Sequence, residues 1–257
     1  MFTFRVALVA AALFLGMIAF VELGRWVGRR RREAMAEEQR EGINVLDGGI
    51  FALLGLLIAF TFSGAAARFD WHRQLVVDEA NAIGTAYLRV DLLPAAVQPA
   101  IRAKFREYAR TRLEAFKKFP DFEAADREIQ RGSALQGEIW KIAVTSLDEP
   151  AFQPARILVL PAFNSMFDIA TTRTMAFETH PPWIIFAVLI VVALVVSYLV
   201  GDIMAGDPRR NWRHMIAFAV TISLTLYVIL DLEFPRLGLL RVEDFDQVLI
   251  NVLRSMG

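Results

Sequence analysis

Hydrophobic side chains along the 257-residue chain gather into four long blocks: Phe4 to Leu23, about Val45 to Ala67, Trp183 to Gly201, and Met215 to Leu232. Each is long enough to cross a hydrocarbon core of roughly 30 Å as a helix of about 20 residues. The few charges they include lie at their ends and none at their centres. The pattern predicts a four-span integral membrane protein. The first block exceeds a signal-peptide core, carries only Arg5 at its start, and is followed by ELGRWVGRRRR rather than a small-residue cleavage site. It therefore reads as a retained anchor.

The intervening residues carry a helical rhythm. Residues 68 to 93 have no breaker except Gly84, and Pro94 ends them because the residue before proline is pushed out of the α region. Val97, Ile101, Phe105, Tyr108 or Ala109, Leu113 and Phe116 then recur at the spacing of one helical face, with Lys117 and Lys118 suited to the helix end. A further helix is expected from Phe122 to about Ser146 with Ile129, Leu135, Ile139 and Ile142 inward, and another from Ala151 to Phe177, bent at Pro161. The tail VEDFDQVLINVLRSMG, with Val242, Phe245, Val248, Leu249 and Val252, reads as an amphipathic helix returning to this domain. The predicted class is all-α. Its parts are a first transmembrane hairpin (1–67), a helical extramembrane domain (68–182), a second hairpin (183–233) and the tail (234–257).

Charge adds orientation. Hydrophobic residues make up 56% of the chain, while 28 basic and 28 acidic residues balance, so net charge points to neither a nucleic-acid partner nor an acidic substrate. The basic residues are nevertheless segregated. Arg25, Arg29, Arg30, Arg31, Arg32 and Arg40 lie in the stretch from Gly24 to Gly42, and Arg209, Arg210 and Arg213 in the connection between the last two spans. Short basic loops stay cytoplasmic, whereas long domains translocate largely regardless of charge. The expectation is a multi-pass protein of a bacterial inner membrane, with both Arg-rich loops cytoplasmic and the middle domain and termini outside. Glu33, Glu37, Glu38 and Glu41 beside the Arg run leave open a solvated, charge-balanced linker instead.

The chemistry of catalysis is not written in this chain. Cysteine is absent, which removes disulfides, thiolate metal sites and a cysteine nucleophile. No Gly-rich phosphate loop, His-Glu metal helix or serine elbow occurs, and His72, His180 and His214 are scattered. No enzyme activity, cofactor or metal is expected. Asp78, Glu79 and Asn81 read as partners for Arg68, Arg73 or Arg89, or as a polar rim. Proton-coupled transport lacks the ionisable residue at a span centre that it would normally need.

The stretch GLLIAFTFSGAAARFDWHRQLVVDEANAIG, residues 55 to 84, passes from apolar span to polar helix without a proline. From Gly48 to Leu93 one helix would run about 69 Å at 1.5 Å per residue, a strut joining membrane and outer domain. Within it Gly55, Ala59, Ser63 and Ala67 form a stripe of small residues beside a second stripe, Leu56, Phe60 and Gly64. Small side chains let helices approach closely in lipid, either within one chain or at an oligomer axis.

The run LLGLLIAFTFSGAAARF resembles the second transmembrane helix of bestrophins, which are anion channels. Together with VDEANAIGTAYLRVDLLP and LDLEFPRLG it looks like the bacterial bestrophin-like family of membrane proteins, across most of the chain. The resemblance implies a pentamer around a pore whose apolar neck falls on Leu56 and Phe60, with Gly64 at the third position. Gly64 cannot supply a bulky ring, and Arg68–Phe69 arrives about one turn earlier than in the bestrophin pattern. Bestrophins also hold the middle domain in the cytosol, opposite to the orientation read from the Arg-rich loops. Arg102, Arg106 and Arg110, within the wider cluster Lys104, Arg112, Lys117 and Lys118, form a row spaced by four. It is either a solvated face or a vestibule that concentrates small anions. The leading expectation is passive anion conduction by a homo-oligomer in the lipid bilayer. The alternative is a non-conducting structural or signalling protein that binds a partner through its helical domain.

Overall fold

The structure is a computed structural model that describes residues 2–32, 37–206, 211–240 and 245–257. Every regular element among them is helical: α1 (Phe2–Arg32), α2 (Glu37–Leu88), α3 (Gln98–Lys117), α4 (Phe122–Ser146), α5 (Arg156–Glu178), α6 (Trp183–Met204), α7 (Trp212–Leu232) and α8 (Asp246–Ser255). Helices long and apolar enough to cross a membrane occupy all four predicted blocks.

Several boundaries differ from the sequence reading. The Arg-rich stretch after Leu23 continues α1 to Arg32, since arginine is a good helix former and cations suit a helix C-terminus. The loop expected over Gly24 to Gly42 is thus largely helix, and α2 begins already at Glu37. Helix α2 closes in a 3₁₀ turn, Arg89–Leu92, just before Pro94. Residues 151–155 are turn and 3₁₀ structure rather than the start of α5, and Pro161 lies inside that helix. Residues 33–36, Arg209, Arg210 and Val242, used above for charge and amphipathicity, lie outside the described residues, and the side chains of Arg32, Glu37, Glu38, Arg40 and Glu41 likewise.

The chain divides into two compact units. One takes the residues up to Arg68 with His180–Phe234. Its centre is α1, whose buried face Val6, Leu13, Met17, Val21 and Arg25 packs on α6 and α7. Leu189, Ala193, Val196 and Ser197 meet it from α6, and Met215, Ala219, Ser223, Leu226 and Ile229 from α7. The Ser223 hydroxyl donates to Met17 Sδ at 3.8 Å.

The other unit takes Phe69–Thr179 with Pro235–Gly257. Its core collects Ala80 and Ile83 of α2, Ile101, Phe105 and Tyr108 of α3, Leu135 and Ile139 of α4, Val159, Phe163 and Met166 of α5, and Leu249 of α8. The faces read from sequence on α3 and α4 are those that turn inward. Asp121 caps α4 by accepting from the Ala124 amide at 2.9 Å, an N-terminal donor that would otherwise lack a partner. The tail helix completes the core, and Tyr87 Oη donates to the Met256 carbonyl at 2.9 Å.

Candidate functional site

The second apolar block behaves unlike the other three. Only 11% of its membrane-length window is buried by the chain itself, against 39% in α7. Leu56 is 50% and Phe60 68% exposed. Gly55, Ala59, Ser63 and Ala67 are exposed too, and a Cβ built on Gly55 would meet nothing within 4 Å. The small-residue stripe and the Leu56–Phe60 pair are therefore bare on the single chain, while Gly64 is half-buried.

One turn beyond Phe60 the register brings Gly64, and one turn beyond that Arg68. The space that a side chain on Gly64 would take is flanked by the Arg68 guanidinium, whose Nη1 lies 3.2 Å from that point. Arg68 is held in turn by Glu233 at the end of α7, with Nε donating to Oε2 at 2.9 Å and Nη2 to Oε1. The Glu233 side chain is 2% exposed and that of Arg68 34%. The stripe thus runs apolar, apolar, bare backbone, then cation. The sequence left Asp78, Glu79 and Asn81 as partners for Arg68, Arg73 or Arg89, or as a rim; the partner of Arg68 is Glu233, 165 residues away. His180 packs on Phe234 at 4.6 Å beside this pair. Burial and the nearby Arg68 hold its pKa below the ordinary value, against the opposing pull of Glu233.

In the second unit the basic row is not uniform. Arg102 pairs with Asp91 and lies 4.7 Å over the Tyr87 ring. Arg106 donates to the Met256 carbonyl at 3.2 Å, and Arg110 is exposed. Arg106 and Arg110 line a groove of about 460 Å³ with Arg131, Glu107, Glu114 and Glu128, so both signs of charge face it. Lys104, Lys117 and Lys118 each have a carboxylate partner, Glu138, Glu114 and Glu128.

Arg112 departs from the cluster in which the sequence placed it. It is 3% exposed and donates through Nε to Glu79, a carboxylate that is fully buried. Arg173 of α5 binds the other oxygen of Glu79. The expectation that Glu79 forms a rim or pairs with Arg68, Arg73 or Arg89 is corrected accordingly; Arg73 pairs with Asp70, and Arg89 donates to the Leu158 carbonyl. The helical register held the signal. Glu79 is in phase with Val76 and Ile83, Arg112 with Tyr108 and Phe116, and Arg173 with Met166, Ala170 and Phe177, so each charge sits on its helix's apolar face. Among the described residues no group of carboxylates and histidines is arranged to hold a metal ion.

The family model described as Bestrophin-like domain matches residues 15–245. Two crystal structures of a bacterial bestrophin homologue from Klebsiella pneumoniae, one with a Trp→Ala and one with a Tyr→Ala mutation, have similar folds. The first has a TM-score of 0.62 at 12% identity, covering 96% of each chain. The second has a TM-score of 0.60 at 12% identity, covering 95% of this chain and 96% of the other. No curated protein matches by sequence.

Proposed function

The chain belongs to the bestrophin-like family, and on that premise we propose that it assembles as a homo-oligomer, a pentamer by family likeness, and conducts small anions passively along an axis lined by α2. The observation that carries this reading is the exposure of the α2 span. The small-residue stripe and the neighbouring Leu56 and Phe60 lack packing partners in their own chain, and identical neighbours would supply them.

In such an assembly Leu56 and Phe60 form the neck. With no charge at the span centre, the barrier there works by narrowness and dewetting. Gly64 relaxes the constriction, and Arg68, its charge paired by the buried Glu233, offers N–H donors at its end. Of the row Arg102, Arg106 and Arg110, the last two have no carboxylate partner among the described residues and would attract anions, whereas Asp91 neutralises Arg102; the effect fades with salt because exposed charges are screened beyond about 8–10 Å.

The decisive experiment compares chloride flux in liposomes reconstituted with equal amounts of wild type and the Leu56→Ala, Phe60→Ala double variant. Widening and wetting the neck raises chloride flux above wild type with little change in cation flux. If neither protein passes chloride, bromide or nitrate across a range of pH and divalent-ion conditions while both remain folded oligomers, conduction is refuted, and the helical unit as a partner-binding module takes its place.

A further inference from the structure

Among its described residues the second unit buries more arginines than carboxylates. Arg112, Arg173 and Arg236 are 3%, 1% and 5% exposed, and the carboxylates among them, Glu79 and Asp246, 0% and 5%. The guanidinium carbons of all three arginines lie around one ring, Phe116, at 5.2, 3.7 and 5.5 Å from its centroid. Three like charges are therefore crowded into one dry locus, with two carboxylates to answer them among the described residues of the cluster.

The hydrogen bonds do not close either. Glu79 accepts from Arg112 and Arg173, and Asp246 takes both terminal nitrogens of Arg236 at 2.5 and 2.6 Å. Arg112 completes its set on the Ala170 carbonyl and the Thr174 hydroxyl. Arg173 Nη2 stands 3.6 Å from Asp246, too far for a hydrogen bond. Arg173 Nε and Nη2 and Arg236 Nε are left buried without an acceptor. Guanidinium cannot shed its proton to escape, and an unanswered buried cation is strongly destabilising. Burial, with Arg236 and Arg112 nearby, presses the Arg173 pKa down even against the pull of Glu79.

We propose that this cluster binds one small monatomic anion, chloride in the cell, held by the unpaired N–H groups of Arg173 and Arg236 beside Phe116. A halide brings one negative charge and accepts several N–H groups at once. With Arg173 1% exposed and one face of its guanidinium taken by the Phe116 ring at 3.7 Å, a single sphere is favoured over a bulkier tetrahedral oxyanion. The site is a structural counter-ion of the second unit and does not depend on conduction through α2.

The test uses the full chain in detergent. The melting temperature is followed as potassium gluconate is replaced by potassium bromide at constant ionic strength, and anomalous scattering locates bromide in crystals of the wild type. The expected result is a saturable rise of the melting temperature and a bromide peak within hydrogen-bond reach of Arg173 Nε. Arg236→Met, which removes the surplus charge and keeps an apolar side chain for Phe116, should abolish the bromide response. A halide-independent wild-type melt without a peak at these nitrogens would overturn the proposal, as would an undiminished response in Arg236→Met. Should that variant not fold, the anomalous map of the wild type decides alone.

Discussion

Gly24 and Gly201 face one another where α1 crosses α6. A methyl group on Gly24 would fall onto the Tyr198 carbonyl, and one on Gly201 onto the Val21 carbonyl, with the Arg25 amide next in line. Gly28 repeats the approach one turn on, against Asp202 and Ala205. Each neighbour of Gly24 and Gly201 is backbone, so no rotamer change can make room.

Gly201→Ala should accordingly force the two helices apart. Overpacking of a fitted core costs about 1–3 kcal/mol, and here the obstacle is a helix rather than a side chain. A marked fall in the melting temperature of detergent-solubilised protein is expected, with Gly48→Ala, which would meet nothing within 4 Å, as the harmless control. Equal melting of the two variants would show that the crossing is looser than described.

Removal of the Glu79 carboxylate should be among the most damaging single changes. Glu79→Gln leaves Arg112 and Arg173 facing each other in a buried core, and breaking a buried ion pair by deleting one partner costs roughly 3–5 kcal/mol. Adding Arg173→Met should recover part of the loss, because the surplus cation goes as well. A double variant that melts no higher than Glu79→Gln alone would remove the coupling between the two residues.

Ala59→Leu tests assembly. The site is exposed on the single chain, so a larger side chain there should not disturb either unit internally. It should instead weaken or change the oligomer seen by light scattering in mild detergent, while helicity stays unchanged. Wild-type protein that is monomeric in both detergent and lipid would argue against an axial pathway made by several chains.

Sidedness can be read with fused reporters. If the arginines around residues 29–32 and 209–213 resist translocation, a periplasm-active enzyme fused after Gly257 should be active and one inserted within residues 33 to 41 silent. The reverse pattern would place the helical unit in the cytosol.

The helices and their inward faces were legible because periodicity is local: Ile101, Phe105, Leu113, Leu135 and Ile139 can be read from spacing alone, and the structure buries them. The family was legible from the run around Gly55 and from LDLEFPRLG. The charged pairs were not, because their partners lie 33, 94 and 165 residues apart and composition weighs every arginine alike. Phase was the missing discriminator. Arg110 lies off the apolar face of α3 and Arg112 on it, two positions apart in one basic run.

Both units are discontinuous in sequence, and this sets an order on biosynthesis. Asp246 and Leu249, which complete the core of the second unit, leave the ribosome only after all four apolar helices have done so. Until then Arg173 and Phe163 wait without their C-terminal neighbours. The helical unit therefore finishes folding only once the last apolar helix has been made, and a chain interrupted before α8 would present quality-control proteases with an open, charge-lined core.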